Sequence, residues 1–189
     1  MPRPATLPIL DWKAVFDSGL AYTDWLTAAE STEQREKIET QLRALTLAPP
    51  VAGFMAALPR PVHVVAIAED WCGDVVRHAP VLQRLAEAGP NLKVRYIHRT
   101  QHPDLFARFL TNGGEAIPKF IFLSDRFVEC GNWGPMPENC KELIARGKAC
   151  GDVATARKKV SAFYEQGSAC REVVSELLRL VDIASSREP

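Results

Sequence analysis

The chain predicts an α/β fold: a central mixed β-sheet flanked by helices, with a helical extension before it and helices after it. Three observations predict this. A hydrophobic strand pattern (Val62, Val64, Val65, Ile67) runs into a short turn at Cys72, and a helical pattern (Val75, Val76, Ala79, Leu82, Leu85) leaves it. A second strand pattern over 92–98 follows the breaker Gly89-Pro90-Asn91, completing a βαβ unit whose right-handed crossover makes the two strands parallel. A third apolar run, 119–123, reaches a partner strand at 126–131 through the turn residues Ser124-Asp125.

Taken in order, residues 11–58 read as helical. Asp11 can cap a short helix through Phe16, Thr23-Asp24-Trp25-Leu26 opens a second, and Ser31-Thr32-Glu33 opens a third with Ile38, Leu42 and Leu45 on one face. Pro49-Pro50 is expected to stop that helix, and a short apolar helix over 51–58 ends at Pro59. The buried strand 61–68, the Cys72 turn and a helix to about Ala88 follow. His102-Pro103-Asp104 starts a helix carrying Leu105, Phe106, Phe109 and Leu110, closed by Asn112-Gly113-Gly114. From Pro137 to about Ser185 the pattern is helical, with breaks near Gly147–Gly151 and at Gln166-Gly167.

The residues around the turn carry a resemblance. Trp71-Cys72-Gly73-Asp74-Val75, with Pro80 further along, resembles the active-site turn and kinked first helix of the thioredoxin family. Val75 stands where a second cysteine would be. Ile117-Pro118-Lys119 and the run Phe120-Ile121-Phe122-Leu123 resemble that family's cis-proline loop and the strand after it. The likeness covers roughly 61–134 and is nearest to bacterial thioredoxin-like proteins with a Trp-Cys-Gly-Asp turn and a helical N-terminus. It implies a thioredoxin-like fold with 1–59 as a helical extension packed on the core, 60–136 as the core, and 137–189 as helices completing the same domain.

Cys72 sits where a strand turns into a helix, at the positive end of a helix dipole, where thiolate is favoured over thiol. A buried structural thiol is the alternative; the glycine beside it and the helix start behind it argue for a nucleophile. Glu69, Asp70 and Asp74 oppose ionisation if their carboxylates lie close, and Arg77 offsets them only if its side chain folds back. A cysteine at position 75 would share the face of Cys72 and resolve a mixed disulfide within the site, which valine cannot do. Ala66, six residues before Cys72, replaces the buried acid that the resemblance places there to serve a resolving thiol. Both departures point to a monothiol site.

Resolution then needs glutathione, another protein, or one of Cys130, Cys140, Cys150 and Cys170, for each of which packing is the default reading. None of their spacings, with or without His63, His78, His98 or His102, matches a metal template. An X-Pro bond accepts the cis form at small cost, and the resemblance implies a cis Pro118 facing the thiol, with the Ile117 backbone docking an extended peptide or glutathione. Trp71, Gly73, Val75 and Trp133 complete the expected substrate-binding surface, with Trp71 as its rim; Asp74 or Asp70 tunes the thiol. Trp12 and Trp25 read as helix anchors. Asn112-Gly113-Gly114 lacks the residues of a phosphate cradle and reads as a turn.

A hydrophobic fraction of 47% across 189 residues supports a packed globule longer than a bare thioredoxin domain. A formal net charge of zero gives no electrostatic reason for a nucleic-acid or membrane partner, and Arg157-Lys158-Lys159 reads as a solvated helix face. No apolar stretch is long enough for a spanning helix, and residues 1–8 hold too many prolines for a signal peptide. Five cysteines without framework spacing suit a reducing cytoplasm. The expected function is thiol–disulfide exchange with Cys72 as nucleophile, no bound cofactor, and glutathione or a thiol- or disulfide-bearing protein as partner. A non-catalytic binding module using the cis-proline groove is the rival, and a thiol peroxidase is disfavoured because the turn offers Arg77 but no threonine.

Overall fold

The computed structural model describes residues 9–166 and 169–188. The readings made on residues 1–8 and on Gly167 lie outside them. Four strands, β1 (Val62–Ile67), β2 (Leu92–Ile97), β3 (Lys119–Leu123) and β4 (Glu129–Trp133), form one mixed sheet in the order β2-β1-β3-β4. β1 runs parallel to β2 and antiparallel to β3, and β3 is antiparallel to β4. β1 and β3 are the inner strands, covered on both faces, which explains their near-continuous apolar runs.

The extension comprises α1 (Trp12–Asp17), α2 (Tyr22–Thr27), α3 (Thr32–Ala44) and α4 (Pro49–Ala56). Asp11 and Ser31 cap α1 and α3 by accepting from the amides of Ala14 and Gln34. Pro49-Pro50, expected to end α3, instead begins α4: α3 stops at Ala44, and proline suits a first helical turn, where its missing N–H has no partner to lose. Between α1 and α2, Leu20 exchanges both backbone bonds with Tyr96 (2.8 and 2.9 Å), covering the open edge of β2.

α5 (Gly73–Ala88) follows β1 and keeps Pro80 within it. The next helix, α6 (Pro103–Phe106), is shorter than expected. Phe109 is buried from the turns that follow, and Thr111 and Gly114 close a two-residue hairpin in which Asn112 and Gly113 take positive φ. The expected strand 126–131 begins later, at Glu129, because Phe127 turns at positive φ and Ser124 holds the loop through Val128. The chain ends in α7 (Glu138–Cys150), α8 (Val153–Tyr164) and α9 (Ala169–Ser185). α7 and α8 form a tight hairpin: a Cβ on Gly147 would stand 2.5 Å from that of Ala156.

Register sorts the faces. Ala66, Phe120 and Trp133 align across three strands, and His78 of α5 meets Trp133 edge-on, so α5 lies on that face. His63 points the other way and receives Phe16 of α1. The core between sheet and helices holds Ile38, Met55, Leu82, Leu85 and Leu177, all fully buried.

Candidate active site

Cys72 is the N-cap of α5, in an extended conformation, and its carbonyl accepts the first helical bond from Val76 at 3.0 Å. The Sγ donates to the carbonyl of Ile117 at 3.4 Å, and the Ile117–Pro118 bond is cis. The thiol therefore faces the loop the resemblance implied. It is half-buried, and Gly73 beside it is exposed, with room for a Cβ against everything but its own chain neighbours.

Burial pushes the Cys72 thiol above its ordinary value. The backbone amides of Val75 and Asp74 pull it down, the Asp74 carboxylate pushes it up, and Arg77 pulls it down. Burial wins. The helix terminus supplies the donors that the sequence anticipates, yet in the free protein they do not offset the loss of water around the sulfur.

The expected site residues separate into groups. Trp71 is 52% exposed, with its ring under the Arg99 guanidinium (5.5 Å) and its Nε1 donating to Glu69; it stands at the rim. Val75 is fully buried, and only its amide serves the sulfur. Asp74 pairs with Arg77 at 3.2 Å, and burial raises its carboxyl. Asp70 makes a contact that the sequence did not announce. It is 6% exposed, and its carboxylate accepts from the Ser31 amide at 3.2 Å, tying the start of α3 to the β1–α5 loop.

Trp133 corrects its expected surface role. It is 3% exposed, stacked on Phe120 (5.4 Å, 15°), with its Nε1 donating to Glu176 at 2.6 Å. Its position on an inner face of β4 makes it a wall of the core. Cys130 lies at the far end of the sheet, beside the Ser124–Val128 turn, and its thiol donates to Val128. Register places Pro118 next to the opposite end, so Cys130 cannot meet Cys72. Cys140 is buried in the first turn of α7 against Tyr164, and burial pushes it up to about 11. All five cysteines are free thiols. Among the described residues no His, Cys, Asp and Glu cluster could hold a metal ion.

Several supporting residues escaped the sequence reading. The Gly134–Pro135 bond is also cis, and Gly134, at φ +115°, lies so close to Pro118 that a Cβ would stand 2.0 Å from its carbonyl oxygen. Lys119 turns inward: its Nζ donates to Thr111 (2.7 Å) and to the Gly134 carbonyl (2.8 Å), joining two loops to the start of β3. Burial lowers its ammonium to about 8. Tyr164 receives the Arg77 guanidinium on its ring at 4.1 Å and shares a 3.1 Å bond with His78, a histidine that burial lowers to about 3.

A family model described as "Thioredoxin" matches residues 21–157, more than half of the sequence. The chain belongs to the thioredoxin family. The match reaches from the N-terminal helices into α8, so this branch includes elements well beyond the four-stranded core. No curated protein matches at a significant level. Among solved structures, a protein of unknown function, PA1234 from Pseudomonas aeruginosa, superposes with a TM-score of 0.74 at 16% identity, covering 92% of this chain and 98% of its own. An HIV epitope-scaffold superposes with a TM-score of 0.71 at 15% identity, with the same coverages. These likenesses extend the thioredoxin-like fold to nearly the whole chain. Among the described residues, no helix is long and apolar enough to cross a membrane.

Proposed function

We propose that this protein performs thiol–disulfide exchange by a monothiol route in a reducing cytoplasm, with Cys72 as the nucleophile. The observation that carries the reading is the half-buried Cys72 thiol set against the Ile117 carbonyl beside a cis proline. The ionised sulfur attacks one sulfur of a substrate disulfide; the S–S bond breaks, the other sulfur leaves as a thiolate, and a mixed disulfide with Cys72 remains. A second small thiol then attacks the substrate-derived sulfur and releases the Cys72 thiolate. Val75 leaves that step to an external thiol. The Asp74 carboxylate tunes the sulfur by opposing its ionisation, a smaller influence than burial, and the Ile117–Pro118 edge docks the substrate backbone.

The raised thiol pKa supports a second reading, in which the site holds a partner without chemistry. Both are tested by incubating wild type and Cys72→Ser with hydroxyethyl disulfide across a pH series and weighing the products. Exchange predicts a mixed disulfide at Cys72 whose rate climbs with pH through a midpoint above the ordinary thiol value, and none at that position in the variant. If the exposed Cys150 reacts throughout while Cys72 stays unmodified at every pH, exchange is excluded and the binding module remains.

A further inference from the structure

A cleft of about 510 Å³ opens between the α7–α8 hairpin and the thiol end of the core. Two of its walls belong to the site itself: Asp74 follows Gly73 by one residue, and Ala116 precedes the carbonyl that receives the Cys72 Sγ. Its charge is one-sided. Arg77, Lys141, Lys148 and Arg157 line it against only Asp74 and Glu115. Arg77 is paired with Asp74, and Lys141 with Glu138. Lys148 donates only to the Asn112 carbonyl (3.2 Å), and among the described residues no carboxylate pairs with it or with Arg157. The volume falls in the small-molecule range, and three sides are walled by α5, the 111–116 turn and the hairpin.

We propose that this cleft seats the carboxylates of an anionic low-molecular-weight thiol, a molecule of small-peptide size, while its sulfur reaches Cys72. The proposal rests on the monothiol reading and names its substrate class. In a mixed disulfide between that thiol and a protein, the Cys72 thiolate attacks the small molecule's sulfur. The protein sulfur leaves as thiolate and takes a proton, and the small molecule stays on Cys72 with its carboxylates beside Lys148 and Arg157. A second molecule of the same thiol, as thiolate, attacks that sulfur. It releases the symmetric small-molecule disulfide and the Cys72 thiolate, so one free small thiol is consumed for each protein sulfur returned from the mixed disulfide to a thiol.

The binding test avoids the chemistry. S-Methylglutathione carries the carboxylates but neither thiol nor disulfide, and it is titrated calorimetrically into the full chain and into Cys72→Ser. Binding is expected in both, weakening as salt rises and falling roughly tenfold or more in Lys148→Glu/Arg157→Glu. Arg157→Gln alone should lose less, and Lys93→Glu, at an exposed position of β2 outside the cleft lining, should change nothing. No millimolar binding, or binding indifferent to the cleft variants, overturns the proposal. A parallel rate comparison of glutathione disulfide with neutral hydroxyethyl disulfide separates the two readings. If the neutral compound reacts and the anion has no advantage that the cleft variants remove, exchange stands and the cleft assignment falls. If S-methylglutathione binds but neither disulfide reacts, the assignment stands and exchange falls.

Discussion

The two helical regions flanking the core are built on opposite terms. The N-terminal helices are sealed to it: Trp25 is 2% exposed, stacks on Tyr96 at 4.7 Å and donates its Nε1 to the Ala68 carbonyl, while Ile38 and Met55 are fully buried. The α7–α8 hairpin packs tightly on itself at Gly147 but leaves a charged cleft between itself and the residues flanking the thiol. Similar helices on one domain thus do different work. One side supplies apolar burial and closes a sheet edge; the other presents cations to a cleft beside the Cys72 turn.

The largest break in this contrast should come from Trp25→Ala. It removes a buried aromatic and its hydrogen bond, so denaturant unfolding should show a loss of about 3–5 kcal/mol, whereas Lys148→Glu/Arg157→Glu should leave the midpoint nearly unchanged. Next comes Gly134→Ala, whose added methyl collides with the Pro118 carbonyl. The loop must move, costing about 1–3 kcal/mol, and exchange at Cys72 should fall more than stability alone explains.

Acid should act through His78. Its folded value of about 3 lies below the ordinary 6.5 because burial opposes its charge, so the unfolded chain binds the extra proton first. Stability from this group is complete above pH 6.5 and is lost as pH falls from 6.5 to 3, by a few kcal/mol, on the order set by linkage. Arg77 is the nearby charge that adds to the depression; Tyr164 hydrogen-bonds the ring, and Trp133 packs on it. His78→Gln should flatten the difference in that window, as equilibrium unfolding at several pH values will reveal. The smallest effects belong to the thiol itself. Asp74→Asn should lower the pH midpoint of Cys72 alkylation and Arg77→Ala should raise it, following the sign each charge exerts on the sulfur.

Much of the fold was legible in the sequence because it rests on local signals. The β1 and β3 runs, the Gly89-Pro90-Asn91 break, and the caps at Asp11 and Ser31 each act within a few residues, and each element formed near its expected place. Where two readings share the same residues, local reasoning faltered: Pro49-Pro50 can stop one helix or start another, and Ser124-Asp125 can make a tight turn or the first half of a longer one.

By itself, then, the sequence determined an α/β chain with a lone thiol at a helix start, since period and turn chemistry are written in adjacent residues; the thioredoxin-like fold and the proline loop facing the thiol came from the resemblance its motifs carry. Tertiary structure decided the rest. It sent Asp70 to Ser31 and Trp133 into the core, turned Lys119 inward onto Gly134, and carried Lys148 and Arg157 to the rim of a cleft that begins at Asp74. It also decided the balance at the sulfur, where desolvation outweighs the helix amides. Burial, pairing and proximity between residues far apart in the chain are properties of packing, and packing leaves no periodic mark on the sequence.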